Sequence, residues 1–221
     1  TIAATLLNGV LSHPERLGDP LSLTVHYAAP ITDGAFEVHA RPMRTNRSTQ
    51  HWLVELRQGD AVAAFATVLT AVRRDTWSAT DAVFPSVPSA ESLPRHPGVF
   101  RTEWPKAYDM RFTDGEQVLD NVVRDDAVTR VWLRDEPPRP LDFLALSAIC
   151  DAFIPRVFVR RSRAVPAGTV TLTVPSAASV TLCALGGMVM PGSSRWPLAV
   201  TSWPLGSSWK EPSALEMRMR S

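Results

Sequence analysis

The chain has 221 residues, 45% of them hydrophobic, and a formal net charge of +1. That is the size of one large domain or two small ones, with no basic face for nucleic acid or an acidic membrane surface. Its two cysteines, Cys150 and Cys183, form no disulfide framework or metal-binding spacing, and no apolar run reaches the ~18 residues a membrane span needs.

Residues 1–12 read as an amphipathic helix, because Ile2, Leu6 and Val10, with Leu7 and Leu11, recur at three- and four-residue spacings. No initiator Met and no signal peptide precede this opening, so the expectation is a cytoplasmic protein whose beginning is missing. Pro14 and Gly18 stop the helix. Four strand-like runs follow: Leu21–Tyr27, Ala35–Arg44, Ser48–Arg57 and Ala61–Val72. The short connections "APITDG", "TNR" and "QGD" are hairpin turns, so the sheet is expected to be antiparallel. A helix beside a curled antiparallel sheet is an α+β arrangement.

From Thr76 to Pro105 the composition changes, and "FPSVPSAESLPRHPGVF" is dense in Pro and Ser without an apolar period, as in a linker. The strand-like "AYDMRF" and "VTRVWLR" come next. A second helix is expected over Leu141–Ile154, with a stripe of Leu141, Leu144, Ala145, Ala148, Ile149 and Ala152, ended by Pro155. A basic loop then leads to a strand over Thr169–Val174. That strand repeats the Leu-Thr-Val of "DPLSLTVHY" in "AGTVTLTVP", so helix, loop and Leu-Thr-Val strand occur twice. Such an internal duplication lets each copy cover sheet edge and helix surface that the other leaves bare. The expected organisation is a first unit over 1–84, a linker over 85–104, a second unit over 105–174 and an atypical tail over 175–221.

The tail holds three Trp, five Pro and nine Ser, and no Gln or His. Within it "SVTLCAL" and "PLAVTSW" are strand-like, and Gly186-Gly187 suits a hairpin turn. Pro175 falls where a central strand would continue, a position that proline avoids. A reading-frame change in the coding DNA just after Val174 would explain the loss of pattern; a genuinely divergent carboxyl terminus is the alternative.

The stretches "DPLSLTVHYAAPITDGAFEVHARPMRTNRSTQHWLVELRQGD", "RRDTWS", "VWLRDEPPRPLDFLALSAICDAFIPR" and "PAGTVTLTV" resemble the TesB-like acyl-CoA thioesterases, from Thr1 to Val174. The resemblance implies a double hot-dog fold, here incomplete at both termini. It also implies hydrolysis of acyl-CoA to a free fatty acid and coenzyme A, with no metal or organic cofactor. That family holds its attacking water with an Asp, a Thr or Ser, and a Gln. The Asp lies on the second half's helix shortly before a Pro, where "CDAFIP" supplies Asp151. The hydroxyl begins the following strand, where "PAGTV" supplies Thr169. No Gln follows Val174, so that role is not carried over.

The residues themselves bear on these roles. Asp151 abuts an apolar helix face, where an ionised carboxylate is costly and its proton affinity rises, as a general base requires; rotation to solvent or pairing with Arg156 or Arg160 is the alternative. Thr169 can orient a water, and is equally what strand propensity selects. In "RTNRSTQHW", Arg47, Ser48 and Gln50 are candidates to meet coenzyme A phosphate or pantetheine, against a purely polar hairpin tip. Cys150 reads as core filling, and Trp52 and Trp132 as core. Three functions stay open: a thioesterase, impaired or not by the tail; a non-catalytic acyl-CoA or lipid-binding protein, which the missing Gln favours; and a hot-dog dehydratase, which the lack of any His after His96 disfavours. Association into homo-oligomers also stays open.

Overall fold

The computed structural model describes residues 1–75, 77, 85–97, 103–116, 120–125, 128–152, 155–163, 167–175, 187–188 and 199–202. The chain gathers into two compact units that do not follow chain order. One comprises Thr1–Ala79, Leu141–Asp151 and Thr169–Val180; the other comprises Thr80–Pro140, Ala152–Gly168 and Thr181–Ser221.

In the first unit the opening helix α1 (Ile2–Leu11) buries Ala3, Leu6, Leu7 and Val10, the stripe its spacing predicts. It packs on strands β2 (Glu37–Thr45), β3 (Thr49–Gln58) and β4 (Ala61–Ala71) and against helix α2 (Phe143–Cys150). Helix and sheet approach closely at Gly9, where an added Cβ would lie 2.8 Å from Val38 Cγ1. The chain leaves α1 through Gly18 at φ +71°, a conformation costly to any other residue, and a Cβ there would meet the Ala71 carbonyl at 2.1 Å. Strand β1 (Asp19–Tyr27) then begins.

The sheet is antiparallel, in the order β2-β3-β4-β1-β7, with β7 spanning Thr171–Pro175. Period-two alternation turns Leu23 and Val25, Trp52, Val54 and Leu56, Ala64, Ala66 and Val68, and Leu172 and Val174 into the core. Trp52 is 1% exposed and completes its burial with a hydrogen bond from Nε1 to Thr70 Oγ1 at 3.4 Å.

The two Leu-Thr-Val segments lie side by side in this sheet. Leu23 opposes Val174, Thr24 opposes Thr173 and Val25 opposes Leu172, a self-complementary pairing centred on the two threonines. Their hydroxyl oxygens are 3.2 Å apart. Pro175 sits at the end of β7 opposite Ser22, and among the described residues β7 is an edge strand, where proline is tolerated.

In the second unit the strands run in the order β5 (Tyr108–Asp114), β6 (Thr129–Asp135), β9 (Ala199–Ser202) and β8 (Gly187–Met188), all antiparallel. Tyr108, Met110, Val131, Trp132 and Leu133 are buried. Asp109, 1% exposed, is balanced by Arg111 at 3.3 Å, Arg134 at 3.1 Å and Arg95 at 3.7 Å, as a buried carboxylate requires.

Three sequence expectations change. Part of the expected linker is packed: Ala90 is 2% exposed against Trp132, and Trp132 Nε1 donates to the Pro88 carbonyl at 2.9 Å. Arg111 donates to the carbonyls of Ala90 and Leu93, both at 3.1 Å, so tertiary contacts hold a segment whose composition reads as free. The second helix stops at Cys150 rather than Ile154, and Pro155 instead caps a short helix α3 (Arg156–Arg161) where a basic loop was expected. Finally, α2 and β7 gather with the first unit, although both belong to the expected second unit. In the tail, the expected strand "SVTLCAL" and the residue Gly186 lie outside the described residues, whereas "PLAVTSW" contains β9. No helix among the described residues is long and apolar enough to cross a membrane.

Candidate active site

Helix α2 is short, apolar and buried. Asp142 caps its start, accepting a hydrogen bond from the Ala145 backbone N–H at 2.7 Å, and Ala145 through Cys150 are all buried. The helix ends at Asp151, the C-cap residue, whose N–H returns to the carbonyls of Ala148 and Ile149. The carboxylate is thus delivered half-buried at the negative end of a helix, which favours no anion.

Its partner comes from the other Leu-Thr-Val segment. Tyr27, two residues beyond Val25 on the inward face of β1, donates its phenolic O–H to Asp151 Oδ2 at 2.9 Å. Burial pushes the Asp151 carboxyl above its ordinary value of 3.8, and the Tyr27 hydrogen bond opposes the rise. Burial also pushes the Tyr27 phenol upward, assisted by the Asp151 charge and the hydrogen bond, so Tyr27 stays a donor. Beside them, burial followed by the Asp151 charge pushes the Cys150 thiol up to about 12, leaving an inert thiol that fills core.

Thr169 precedes β7 and is exposed. Among the described residues it shares no direct hydrogen bond with Asp151; Tyr27 links the two regions instead. The Tyr27 backbone N–H donates to the Val170 carbonyl at 2.9 Å while its side chain reaches Asp151. Tyr27 is not among the candidate residues that the family resemblance implies. The available signal was its place in register with Leu23 and Val25, which aims a polar tip at the end of an inward-facing row.

The three residues of the β2–β3 hairpin part company. Arg47 is exposed at the tip and makes no ion pair or hydrogen bond among the described residues. Ser48 is half-buried, and its carbonyl accepts from the Val72 N–H at 3.0 Å. Gln50, by contrast, is 2% exposed and spent internally. Its Oε1 accepts from the Leu17 N–H at 2.8 Å, and its Nε2 donates to the Glu15 carbonyl at 3.1 Å and to Thr45 Oγ1 at 2.9 Å. Through these three bonds Gln50 pins the α1–β1 loop onto β3.

A cavity of about 440 Å³ in the second unit, lined by Asp114, Glu116, Arg124 and Arg130 among others, includes none of these candidates. Its arginines are already paired, Arg130 with Asp114 at 2.7 Å and Arg124 with Asp120 at 2.8 Å. Among the described residues no cluster of three or more His, Cys, Asp or Glu is arranged to hold a metal ion.

A helix packed against a five-stranded antiparallel sheet is the hot-dog arrangement, of α+β class. The acyl-CoA thioesterase N-terminal domain matches residues 1–72 and the acyl-CoA thioesterase C-terminal domain matches residues 84–178, so the chain belongs to the acyl-CoA thioesterase family. Among solved structures, a conserved protein of unknown function with a hot-dog fold from Alicyclobacillus acidocaldarius is 47% identical, with a TM-score of 0.75. That similarity covers 80% of this chain, which spans only 66% of the length of the Alicyclobacillus protein. A tesB protein from Mycobacterium avium subsp. paratuberculosis (16% identity, TM-score 0.64, 92% of this chain and 86% of that one) shares the fold. So does acyl-CoA thioesterase II TesB2 from Mycobacterium marinum, at 17% identity and TM-score 0.60 over 92% of this chain and 88% of that one. No curated protein matches the sequence.

Proposed function

We propose that the protein hydrolyses acyl-CoA thioesters to a free fatty acid and coenzyme A, as a cytoplasmic enzyme needing no metal or organic cofactor. The observation that carries the reading is the half-buried Asp151 carboxylate at the end of α2, anchored through one oxygen by Tyr27, in a chain matched by both halves of a thioesterase family. Asp151 Oδ1 makes no hydrogen bond with any described residue and takes a proton from water as the water oxygen bonds to the thioester carbonyl carbon. The carbon–sulfur bond then breaks, and the proton passes to the departing thiolate, giving a carboxylic acid and a thiol. Thr169 orients the water, and backbone N–H groups polarise the carbonyl. Arg47 and Ser48, at the exposed hairpin tip, meet the phosphate or pantetheine portion of the substrate.

One sequence observation favours a second reading, a non-catalytic acyl-CoA-binding protein: no Gln follows Val174 to complete the family's water-holding set. A single assay separates the two. The protein is incubated with acyl-CoAs of graded length and a thiol reagent, beside Asp151→Asn. Turnover that falls at least about 100-fold in the variant, the scale of lost general-base catalysis, supports the hydrolase. Equal turnover in both removes Asp151 from the chemistry, and binding without turnover by the unaltered protein favours the carrier.

A further inference from the structure

We propose that Tyr27 is a positioning residue for this site: its phenol fixes the Asp151 carboxylate while its backbone fixes the strand entrance that follows Thr169. The inference deepens the hydrolase reading and rests on it for the identity of the base.

Asp151 is a C-cap residue whose side chain, left to itself, has several staggered rotamers, including ones that swing to solvent. A base that must meet a water within hydrogen-bond reach needs one orientation. Tyr27 supplies it from the most constrained place nearby. Its backbone lies in β1, opposite Ala64 of β4 on one side and bonded to the Val170 carbonyl at 2.9 Å on the other. The next two N–H groups, of Ala28 and Ala29, both return to the Ala63 carbonyl at 2.9 Å. From this fixed point the ring reaches one carboxylate oxygen, Oδ2, at 2.9 Å and leaves Oδ1 free of any partner among the described residues. A phenylalanine would fill the same space, so packing alone does not call for the hydroxyl. A half-buried phenol oxygen is tolerated when it has a partner, and here the partner is the proposed base.

The bond has a second effect. Burial drives Asp151 toward its protonated form, in which it is no base; a donor to the carboxylate counters this. Among the described residues, few other titratable groups face Asp151. Cys150 adjoins it on α2 and is neutral, and neither α1 nor β7 carries a titratable side chain. On β1, Asp19 and His26 belong to the same strand, but the hydrogen bond to Asp151 comes from Tyr27.

The experiment measures kcat and KM against pH for Tyr27→Phe, for Asp151→Asn and for the protein carrying 3-fluorotyrosine at position 27, a stronger donor of the same shape. Expected in Tyr27→Phe is an acid limb moved up by about one pH unit, with kcat falling more on the limb than on the plateau and KM changed by less than about twofold. The fluorinated ring moves the limb down. An unmoved limb in both proteins overturns the inference, as does a uniform loss of kcat at every pH, which would mark Tyr27 as merely structural. If Asp151→Asn turns over normally, or the unaltered protein does not turn over at all, the hydrolase reading fails by itself. The inference is then decided by titrating the ¹³C-labelled Asp151 carboxyl: equal midpoints with tyrosine, phenylalanine and 3-fluorotyrosine at position 27 overturn it, and midpoints ordered by donor strength support it. Should Tyr27→Phe not fold, the fluorinated protein alone carries both measurements.

Discussion

Burial raises the proton affinity of the Asp151 carboxyl above the ordinary 3.8, and the hydrogen bond from the Tyr27 phenol only partly opposes this. The consequence for stability has a definite sign. A native state that holds a proton more tightly than the unfolded chain is favoured below the unfolded carboxyl range, and that advantage is lost as pH rises through the raised native value. Asp151→Asn, neutral throughout and still able to accept from Tyr27, is therefore expected to raise Tm between pH 7 and 8, with the gain shrinking toward zero as the pH falls to about 4. Thermal unfolding followed by circular dichroism over that range checks it; a lower Tm at neutral pH would mean that the ionised form is favoured overall. Gln50 is the reverse case, a polar side chain whose burial leaves nothing unsatisfied. Removing it in Gln50→Ala strands the Leu17 N–H and the Glu15 carbonyl and is expected to cost about 1–3 kcal/mol in urea unfolding. A loss below about 0.5 kcal/mol, the range of ordinary surface changes, would show that the loop holds without it.

Among the elements, the connection from α1 to β1 has the least tolerance. Gly18 combines φ +71° with a Cβ position 2.1 Å from the Ala71 carbonyl, so Gly18→Ala must both strain the backbone and push β4 away. A loss of more than about 1 kcal/mol is expected, read as a lower urea midpoint at unchanged slope; an unchanged midpoint would mean that the turn relaxes freely. The elements legible in the sequence were those with a strong period. Alternation in "LSLTVHY" and "HWLVEL" gave β1 and β3 within two residues, and the stripe of Leu6, Leu7 and Val10 gave α1. Helix α3 was missed because six residues of "RVFVRR" are too few to display a helical period. The packed part of the Pro/Ser-rich segment was missed because what holds it, Trp132 and Arg111, lies more than ten residues away along the chain and leaves no local pattern. The partial burial of Asp151 is legible from its odd place beside apolar residues, and the inward direction of Tyr27 from its register with Leu23 and Val25; that the two bond is not, since they meet only when β1 and α2 come together.

For the whole molecule, the first family domain covers residues 1–72, yet the compact unit built on it borrows α2 and β7 from much later in the chain. A fragment of residues 1–84 would leave β1 without its β7 neighbour and α1 without α2, baring the apolar edge of the core. Such a fragment is expected not to fold cooperatively, seen as collapsed amide dispersion in its ¹H–¹⁵N spectrum; a dispersed spectrum matching the full chain would show that the first 84 residues suffice. The self-complementary meeting of the two threonines has a further consequence. In an assembly of identical subunits, every mutation near such a seam is stamped on both sides at once, and an acid useful on one side is a burden on the other. With both copies written into one polypeptide, the gene can alter either side alone. Here one Leu-Thr-Val strand ends in an aromatic alcohol that meets a carboxylate carried on α2, an unlike pair of which a single polypeptide can change either member alone.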